Sequence, residues 1–162
     1  MAGINEILQP GNILFTRDYA FDDGGKPKDK LMVILDSSVD SFTAIYSLTT
    51  SRDKIPLSAV CHGCTNDDSM NLSHYMFEID KVIGKNGNDD FAFNKNTFIF
   101  YRLNVIEKEH SFFDKLLTAR NLKVMAKLSS EEYINLLNCA SSSIHIPRVI
   151  KKKLLTRKNK HK

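Results

Sequence analysis

Lysines and hydroxyl side chains occur in the first third of the chain in an order that suits phosphate chemistry. Lys26, Lys28 and Lys30 lie in or beside a glycine-rich loop, and Thr49 begins a Thr-Thr-Ser cluster at the end of a later apolar segment. Ammonium and hydroxyl groups donate hydrogen bonds to phosphate oxygens, and ammonium groups also offset the phosphate charge. If the two groups converge in the fold, they predict a site for a phosphodiester.

Cleavage of RNA at such a site needs a base for the 2′-hydroxyl proton, an acid for the leaving oxygen and donors for the charged phosphorane. We predict Lys30, Thr49 and His74 as catalytic residues, with His74 as the base because the ordinary pKa of imidazole suits that task. The residues predicted to bind RNA or its phosphates are Lys26, Lys28, Thr50, Ser51, Arg17, Arg102 and Tyr101. Structural alternatives are a solvated hairpin loop for the lysines, a strand end that satisfies its own backbone for the hydroxyls, a partly buried His74, and pairing with acids for the arginines.

A C-x-x-C motif, Cys61-His62-Gly63-Cys64, is the second candidate for chemistry. Such a motif can hold zinc or act as a redox pair. Closed zinc sites need two further ligands, and His74 and Cys139 are distant single residues; a thioredoxin-like role would need a βαβ context. We therefore predict no metal and no cofactor, with Cys61 and Cys64 as the remaining zinc candidates. Three cysteines, an odd number, also argue against a disulfide framework and favour a reducing compartment.

The elements that must position these groups are mostly strands. Alternating or continuous apolar patterns predict strands over residues 13–21, 31–35, 42–48, 57–60, 74–79 and 97–102. The run at 31–35 is apolar throughout, which predicts a strand buried on both faces. Five or six strands at close spacing favour a small barrel, so we predict a mainly β (α+β) fold with C-terminal helices packed on the barrel.

Helical patterns replace the strand patterns in the last third of the chain. Residues 110–128 favour a helix. Ser129 and Glu132 form a capping-box pattern before a second helix, and a serine run at 141–143 ends it. A last short helix is predicted over residues 149–155.

Length, composition and charge fit one domain with a basic end. The chain has 162 residues, of which 42% are hydrophobic and 26% charged, as in an ordinary globular protein. Eight of its 23 Lys and Arg residues lie in 148–162, which has no acid, so residues 1–147 hold 15 basic and 19 acidic residues, a net charge of −4. We assign 1–147 to one barrel domain with C-terminal helices and 148–162 to a basic helix and tail. The tail adds salt-sensitive attraction to nucleic acid or an anionic membrane surface, or it only solubilises a frayed end.

Targeting signals are lacking in the sequence pattern. No apolar run approaches the ~20 residues that a membrane-spanning helix needs. The first residues show no basic region followed by an apolar stretch, so they do not predict a signal peptide. We expect a cytoplasmic protein with no membrane partner.

Three segments resemble the MazF/PemK (Kid) family of ribonuclease toxins: Gly-Asn-Ile-Leu at 11–14, the apolar run at 31–35 and Ser-Leu-Thr-Thr-Ser at 47–51. Members open with a Gly-Asp/Glu strand, pass through a glycine-containing loop into an apolar strand, and end the third strand in a Thr/Ser cluster. The resemblance covers residues 10–52 and extends weakly through the two later strands. It implies a small SH3-like barrel, often a homodimer, that cleaves single-stranded RNA without metal and is inhibited by an antitoxin protein whose disordered segment covers the groove.

Two positions depart from the family pattern. Lys30-Leu31 stands where the family has Arg-Pro, and Asn12 stands where the family has an acid. Lysine keeps the positive charge but loses the planar fork that grips two phosphate oxygens at once. Two functions therefore follow from the sequence: a toxin-type, metal-independent endoribonuclease acting on single-stranded RNA, and a non-catalytic RNA- or protein-binding module on the same barrel.

Overall fold

The computed structural model describes residues 3–52 and 61–161, and within these ranges the fold is mainly β, with two antiparallel sheets and four helices. The helices are α1 (Ile4–Ile7), α2 (His110–Thr118), α3 (Ser130–Ser141) and α4 (Arg148–His161). The strands are β1 (Asn12–Tyr19), β2 (Lys28–Ser38), β3 (Thr43–Leu48), β4 (Thr50–Arg52), β5 (Gly63–Asp67), β6 (Leu72–Phe77), β7 (Gly84–Asn86), β8 (Asp89–Phe91), β9 (Asn96–Phe100), β10 (Val105–Glu109) and β11 (Leu122–Leu128).

The strands form a seven-stranded sheet and a four-stranded sheet. The first has the order β10-β3-β2-β1-β11-β7-β8, and the second has the order β4-β9-β6-β5. The chain passes from the first sheet into the second between β3 and β4, where Thr49 alone separates the two strands. The ladders of the described residues therefore show two sheets, and they do not show the closed barrel that we predicted.

The first sheet is covered on both faces. Ile13 and Val33 pair across β1 and β2 and pack toward the second sheet, α3 and α4, whereas Leu14 and Met32 pack toward α1 and α2. Successive side chains of a strand point to opposite faces, so a strand with two covered faces needs apolar residues at every position. The continuous apolar run at 31–35 meets this requirement, and the prediction that it is buried on both faces is confirmed for residues 32–35.

The predicted helix over 110–128 is wrong in its second half. Helix α2 ends at Thr118, and Arg120 turns the chain with a φ of 60° before β11 begins. In β11, which pairs with β1 and β7, Leu122 is buried toward α1 and α2, whereas Ala126 and Leu128 are buried toward the second sheet, and a register shift in the pairing with β1 separates them. The dense apolar residues of α2 and this irregularity hid the strand in the sequence.

The described residues contain eleven strands, more than the five or six expected. Strands β4, β7 and β8 have three residues each, which is too short for a periodic pattern, and β5 and β10 are polar strands at sheet edges. Edge strands face solvent along one side and need little apolar surface. The strand predicted over 57–60 lies outside the described residues.

The basic C-terminal segment is a helix that packs on the body of the protein. Helix α4 is longer than the predicted 149–155, and its Leu154 is fully buried. Lys153 Nζ lies 2.5 Å from Glu107 Oε2, and Arg157 Nε lies 2.6 Å from Asp36 Oδ1. These ion pairs join α4 to the first sheet, so the segment is not a frayed tail. Within residues 3–52 and 61–161, no helix combines the length and the apolar character needed to cross a membrane.

A disulfide joins Cys64 of β5 to Cys139 of α3. This bond corrects the expectation that the three cysteines form none, because an odd count requires only that one cysteine, here the exposed Cys61, is left over. The two bonded cysteines are 75 residues apart, and no local spacing in the sequence announces their pairing. A cysteine in a disulfide is not a thiolate ligand, so Cys64 is not a zinc ligand in this structure.

Candidate functional site

Lys30 and Thr49 are neighbours because β2 and β3 run antiparallel. Lys30 pairs with Thr16 of β1 near the start of β2, and Met32 pairs with Leu48 at the end of β3. The next residue, Thr49, then donates its backbone N–H to Leu31 O at 3.0 Å. The convergence of the loop lysines and the Thr/Ser cluster is therefore present for Lys30 and Thr49.

Two further hydrogen bonds define what these side chains can offer a ligand. Lys30 Nζ donates to the backbone carbonyl of Thr49 at 2.6 Å, and Thr49 Oγ1 donates to Leu31 O at 3.0 Å. An ammonium has three donors, so Lys30 keeps two for a ligand. Because the Thr49 hydroxyl already donates its hydrogen bond to the backbone, it can only accept a hydrogen bond from a ligand. It therefore does not supply the donor that we predicted for a phosphate oxygen.

The surroundings of Lys30 weaken its hold on a proton. Burial lowers the pKa of Lys30, and the positive charge of Lys28 lowers it further. A cavity lies beside Lys30, and Asp29 is the other charged residue on its described lining. Asp29 Oδ1 accepts the backbone N–H of Asp18 at 3.1 Å. The lining thus carries one cation and one anion, and only the cation is placed to attract a phosphate.

A cavity of about 580 Å³ adjoins these residues, and we call it the lysine–hydroxyl cavity. Its polar edge consists of Lys30, Thr49, Ser51 and Asn94. The apolar wall opposite that edge includes Phe15, Phe91, Phe93 and Met125. The volume lies in the range of small-ligand sites, and an aromatic wall facing hydrogen-bond donors suits a nucleobase attached to a phosphate.

The three hydroxyls of the Thr/Ser cluster do not share one face. Ser51 pairs with Thr97, and its Oγ lies 3.5 Å from Thr97 Oγ1 at the lysine–hydroxyl cavity. Thr50 pairs with Phe98, so its side chain points to the opposite face of the second sheet. Of the cluster, Thr49 and Ser51 contribute to the cavity and Thr50 does not.

The predicted base, His74, lies away from this cavity. It belongs to β6, which pairs with β9 and β5 rather than with β3, and its ring lies 5.5 Å from the Phe98 ring and 5.6 Å from the Phe100 ring. The side chain is 1% exposed, and burial lowers its pKa. Neither ring nitrogen has a hydrogen-bond partner among the described residues. The structure therefore does not bring His74 together with Lys30 and Thr49.

The remaining predicted RNA-binding residues do not line the cavity. Tyr101 is 1% exposed within the main core, and burial raises the pKa of its hydroxyl, so its ring is not available to stack on a base. Lys26 and Lys28 are exposed in the loop and at the start of β2. Arg17 is exposed on β1, and Arg102 is exposed in the turn after β9. These four cations lie at separate places on the surface, and none of them lines one of the described cavities.

A second polar cavity, of about 490 Å³, lies between α4 and the β2–β3 hairpin. Lys152 and Lys160 line it, together with Asp36 near the end of β2. Lys30 and Asp36 are separated by six residues of one strand, which corresponds to roughly 20 Å. The basic residues of α4 therefore do not extend the lysine–hydroxyl cavity.

Sequence reasoning missed the aromatic wall and a buried polar network. In the sequence Phe91 and Phe93 precede a predicted strand, and no spacing shows that they line a cavity with Lys30 of β2. Glu132 was expected to complete a capping box, but only Ser129 caps α3, accepting the Glu132 N–H at 3.2 Å. The Glu132 carboxylate instead accepts the Tyr75 hydroxyl at 2.8 Å.

The same carboxylate holds His62 of the C-x-x-C motif. His62 Nε2 lies 2.7 Å from Glu132 Oε1, and His62 Nδ1 accepts the backbone N–H of Glu78 at 3.1 Å. Both ring nitrogens are therefore occupied, which fixes the tautomer with its proton on Nε2. This network anchors the middle of the motif and leaves no ring nitrogen for proton transfer.

The geometry thus offers a partly buried ammonium, two hydroxyls, an amide and an aromatic wall at one cavity. These groups can bind a phosphate and a flat apolar ring together. No family model matches the chain, and neither a curated protein nor a solved structure matches it.

Proposed function

We propose that the protein binds single-stranded RNA, with one nucleotide in the lysine–hydroxyl cavity. The observation that carries this proposal is the position of the Lys30 ammonium, held 2.6 Å from Thr49 O beside a cavity whose other wall is aromatic. The two remaining donors of Lys30 bind a phosphate oxygen, and Ser51 supports it. A base stacked on an aromatic side chain contributes ~1–3 kcal/mol.

The charge of the cavity favours a phosphodiester over a nucleotide monophosphate. On the described lining the charged residues are one cation, Lys30, and one carboxylate, Asp29, and the body of residues 1–147 has a net charge of −4. A diester carries one negative charge, whereas a terminal phosphate carries close to two and would need further cations. Single-stranded nucleic acid also presents unstacked bases, which duplex RNA does not offer to an aromatic wall.

The binding proposal is tested by fluorescence anisotropy with a labelled single-stranded RNA over a range of salt concentrations. Lys30→Met keeps the apolar stem and removes the charge. We expect it to weaken binding about tenfold, equivalent to ~1.4 kcal/mol, and to reduce the slope of log K against log salt by about 0.7. Lys26→Met is the matched control on the same loop, and it should change the affinity by less than about twofold because a solvated lysine makes little fixed contact.

The cations of α4 provide a second control. The double variant Lys152→Ala/Lys160→Ala removes charge from the other cavity and should leave the affinity within about twofold. If this double variant abolishes binding and Lys30→Met does not, α4 is the binder and the proposal for the lysine–hydroxyl cavity is wrong.

A second candidate function is metal-independent cleavage of the bound RNA, and the lowered pKa of Lys30 favours it. An ammonium that releases its proton more readily can protonate the leaving 5′-oxygen while the 2′-hydroxyl proton passes to water, and its charge can stabilise the phosphorane. Incubating a long single-stranded RNA with wild-type protein and with Lys30→Met, each with and without chelator, tests this function. Cleavage by wild type alone supports it. Intact RNA at a large excess of wild-type protein removes it and leaves the binding proposal standing.

We further propose that the fold is a variant of the SH3-like barrel and that the protein is related to the MazF/PemK toxins. The β1–β2–β3 meander, with the Thr49 hydroxyl at its end, supports it. In that setting a homodimer and an inhibitory antitoxin segment are the proposed protein partners. Growth arrest on expression that disappears in Thr49→Ala is the expected result, and arrest that persists in this variant would remove the toxin assignment.

A further inference from the structure

The three cysteines lie within one region of the fold, at the junction of β5 and α3. Cys64 and Cys139 form the disulfide, with their Cα atoms 5.4 Å apart. Cys61 precedes Cys64 by three residues and is a free, exposed thiol. A thiol beside a disulfide in the same motif has the components of an exchange reaction, in which a thiolate attacks one sulfur and the other leaves.

The two sulfurs of the disulfide differ in access. Cys139 is 2% exposed within the core, whereas Cys64 lies on an edge strand and is exposed. A cavity of about 430 Å³ borders the bond, with His62, Asn135 and Asn138 in its lining. Both cysteines line this cavity, but Cys64 is the exposed one, so an attacking thiol reaches Cys64 Sγ more readily and Cys139 is the sulfur that leaves.

The segment between Cys61 and Cys64 is built to turn. The chain bends at His62, and Gly63 has a φ of 104°, a conformation that side chains with a Cβ rarely adopt. A Cβ on Gly63 would meet no atom within 4 Å, so the space around Gly63 is open, while the neighbouring His62 stays anchored by its bonds to Glu132 and to the Glu78 N–H. Cys61 Sγ donates a long, weak hydrogen bond to the adjacent His62 carbonyl at 3.6 Å.

We propose that Cys61, Cys64 and Cys139 form a thiol–disulfide exchange site that takes a small thiol, with Cys64 as the shared sulfur. The small thiol, as its thiolate, attacks Cys64 Sγ; the bond to Cys139 breaks, and Cys139 leaves as a thiolate and takes up a proton. The Cys61 thiolate then attacks Cys64 Sγ, forms the Cys61–Cys64 disulfide and releases the small thiol. No net oxidation or reduction occurs, because one disulfide replaces another.

The exchange has a structural consequence. The Cys64–Cys139 bond ties β5 to α3 across 75 residues, whereas a Cys61–Cys64 bond closes a loop within one motif. Constraint of the unfolded chain grows with loop length, so the exchanged protein is less stable, and α3 loses its covalent bond to β5. This inference goes beyond RNA binding and uses none of the residues of the lysine–hydroxyl cavity.

Peptide mapping tests the exchange on the full-length protein. Trypsin is expected to place Cys61 and Cys64 together in peptide 55–81 and Cys139 in peptide 128–148. After limited treatment with reduced glutathione under nitrogen and alkylation of free thiols, we expect unlinked 55–81 lacking two hydrogens, and 128–148 carrying an alkylated Cys139. Untreated protein should give the two peptides linked.

Two variants make the result decisive. Cys61→Ser, which alters an exposed side chain only, should accumulate glutathione on Cys64 and never yield the lighter 55–81. Cys139→Ser, treated with oxidised glutathione, should form Cys61–Cys64 directly. The proposal is overturned if wild-type 55–81 appears only linked or fully reduced, if Cys61 becomes linked to Cys139, or if Cys139→Ser keeps both remaining thiols open to alkylation.

Discussion

Replacing His74 by leucine should stabilise the protein. The imidazole is 1% exposed, and neither ring nitrogen has a partner among the described residues. A buried ring nitrogen without a hydrogen bond costs ~1–3 kcal/mol, so the two nitrogens of His74 cost ~2–6 kcal/mol, while the lost ring contacts with Phe98 and Phe100 cost ~0.5–1.5 kcal/mol each, or ~1–3 kcal/mol together. Leucine has a similar volume, so we expect a net gain of about 1 kcal/mol in the free energy of unfolding at pH 7.5.

The stability gain should grow as the pH falls. Burial lowers the pKa of His74 in the folded protein, whereas the unfolded chain keeps an ordinary pKa of about 6.5. Below that pH the unfolded state binds a proton that the folded state does not, so wild-type stability falls as pH drops through ~6.5 toward the lowered folded pKa. The variant His74→Leu lacks this contribution and should lose less stability between pH 7.5 and pH 5.5.

Urea unfolding followed by circular dichroism at the two pH values measures both effects. His62→Leu is the matched control, because both nitrogens of His62 have partners and its loss leaves Glu132 with one hydrogen bond fewer. We expect that control to be destabilised. A His74→Leu protein that is less stable than wild type at both pH values, with an unchanged pH dependence, would falsify the claim that the imidazole is buried without compensation.

Two further predictions concern the backbone and the disulfide. A Cβ on Gly84 would overlap the backbone carbonyl of Lys127, so Gly84→Ala should lower the free energy of unfolding by ~3 kcal/mol or more. Gly87→Ala is the control, because a Cβ there enters open space at a φ of 62°, and it should cost only about 1 kcal/mol. Equal losses of stability in thermal melts would contradict the close approach of β7 and β11. Cys139→Ser removes the disulfide that closes a loop across 75 residues and should lower the free energy of unfolding by about 4 kcal/mol. Chemical reduction of the wild-type protein should have the same effect. Melting curves that coincide for oxidised and reduced protein would show that the bond adds no stability.

The parts of the fold that were predictable rest on local patterns. The apolar run at 31–35 predicted a strand covered on both faces, and the capping serine Ser129 predicted the start of α3. The order of apolar segments also placed Lys30 beside Thr49, because a short turn between two strands makes them antiparallel neighbours.

The rest depends on contacts that the sequence does not encode locally. His74 lies in a well-formed strand, β6, but the partners of that strand are β9 and β5, and strand order in a sheet is set by global packing. The Cys64–Cys139 bond and the wall formed by Phe91 and Phe93 arise from segments far apart in the chain. Residues 110–128 carry both a helical and an alternating pattern, and the pairing of β11 with β1 decides between them.

Only Thr49 separates β3 from β4, so the number of residues between these strands determines which side chains line the lysine–hydroxyl cavity. Thr49 is bound at its N–H, its hydroxyl and its carbonyl, so it cannot absorb a change in length. An insertion of one residue after it would reverse the side-chain alternation of β4, turning Ser51 outward and Thr50 inward. Homologous chains that keep this cavity should therefore tolerate substitutions at this step far more readily than insertions or deletions.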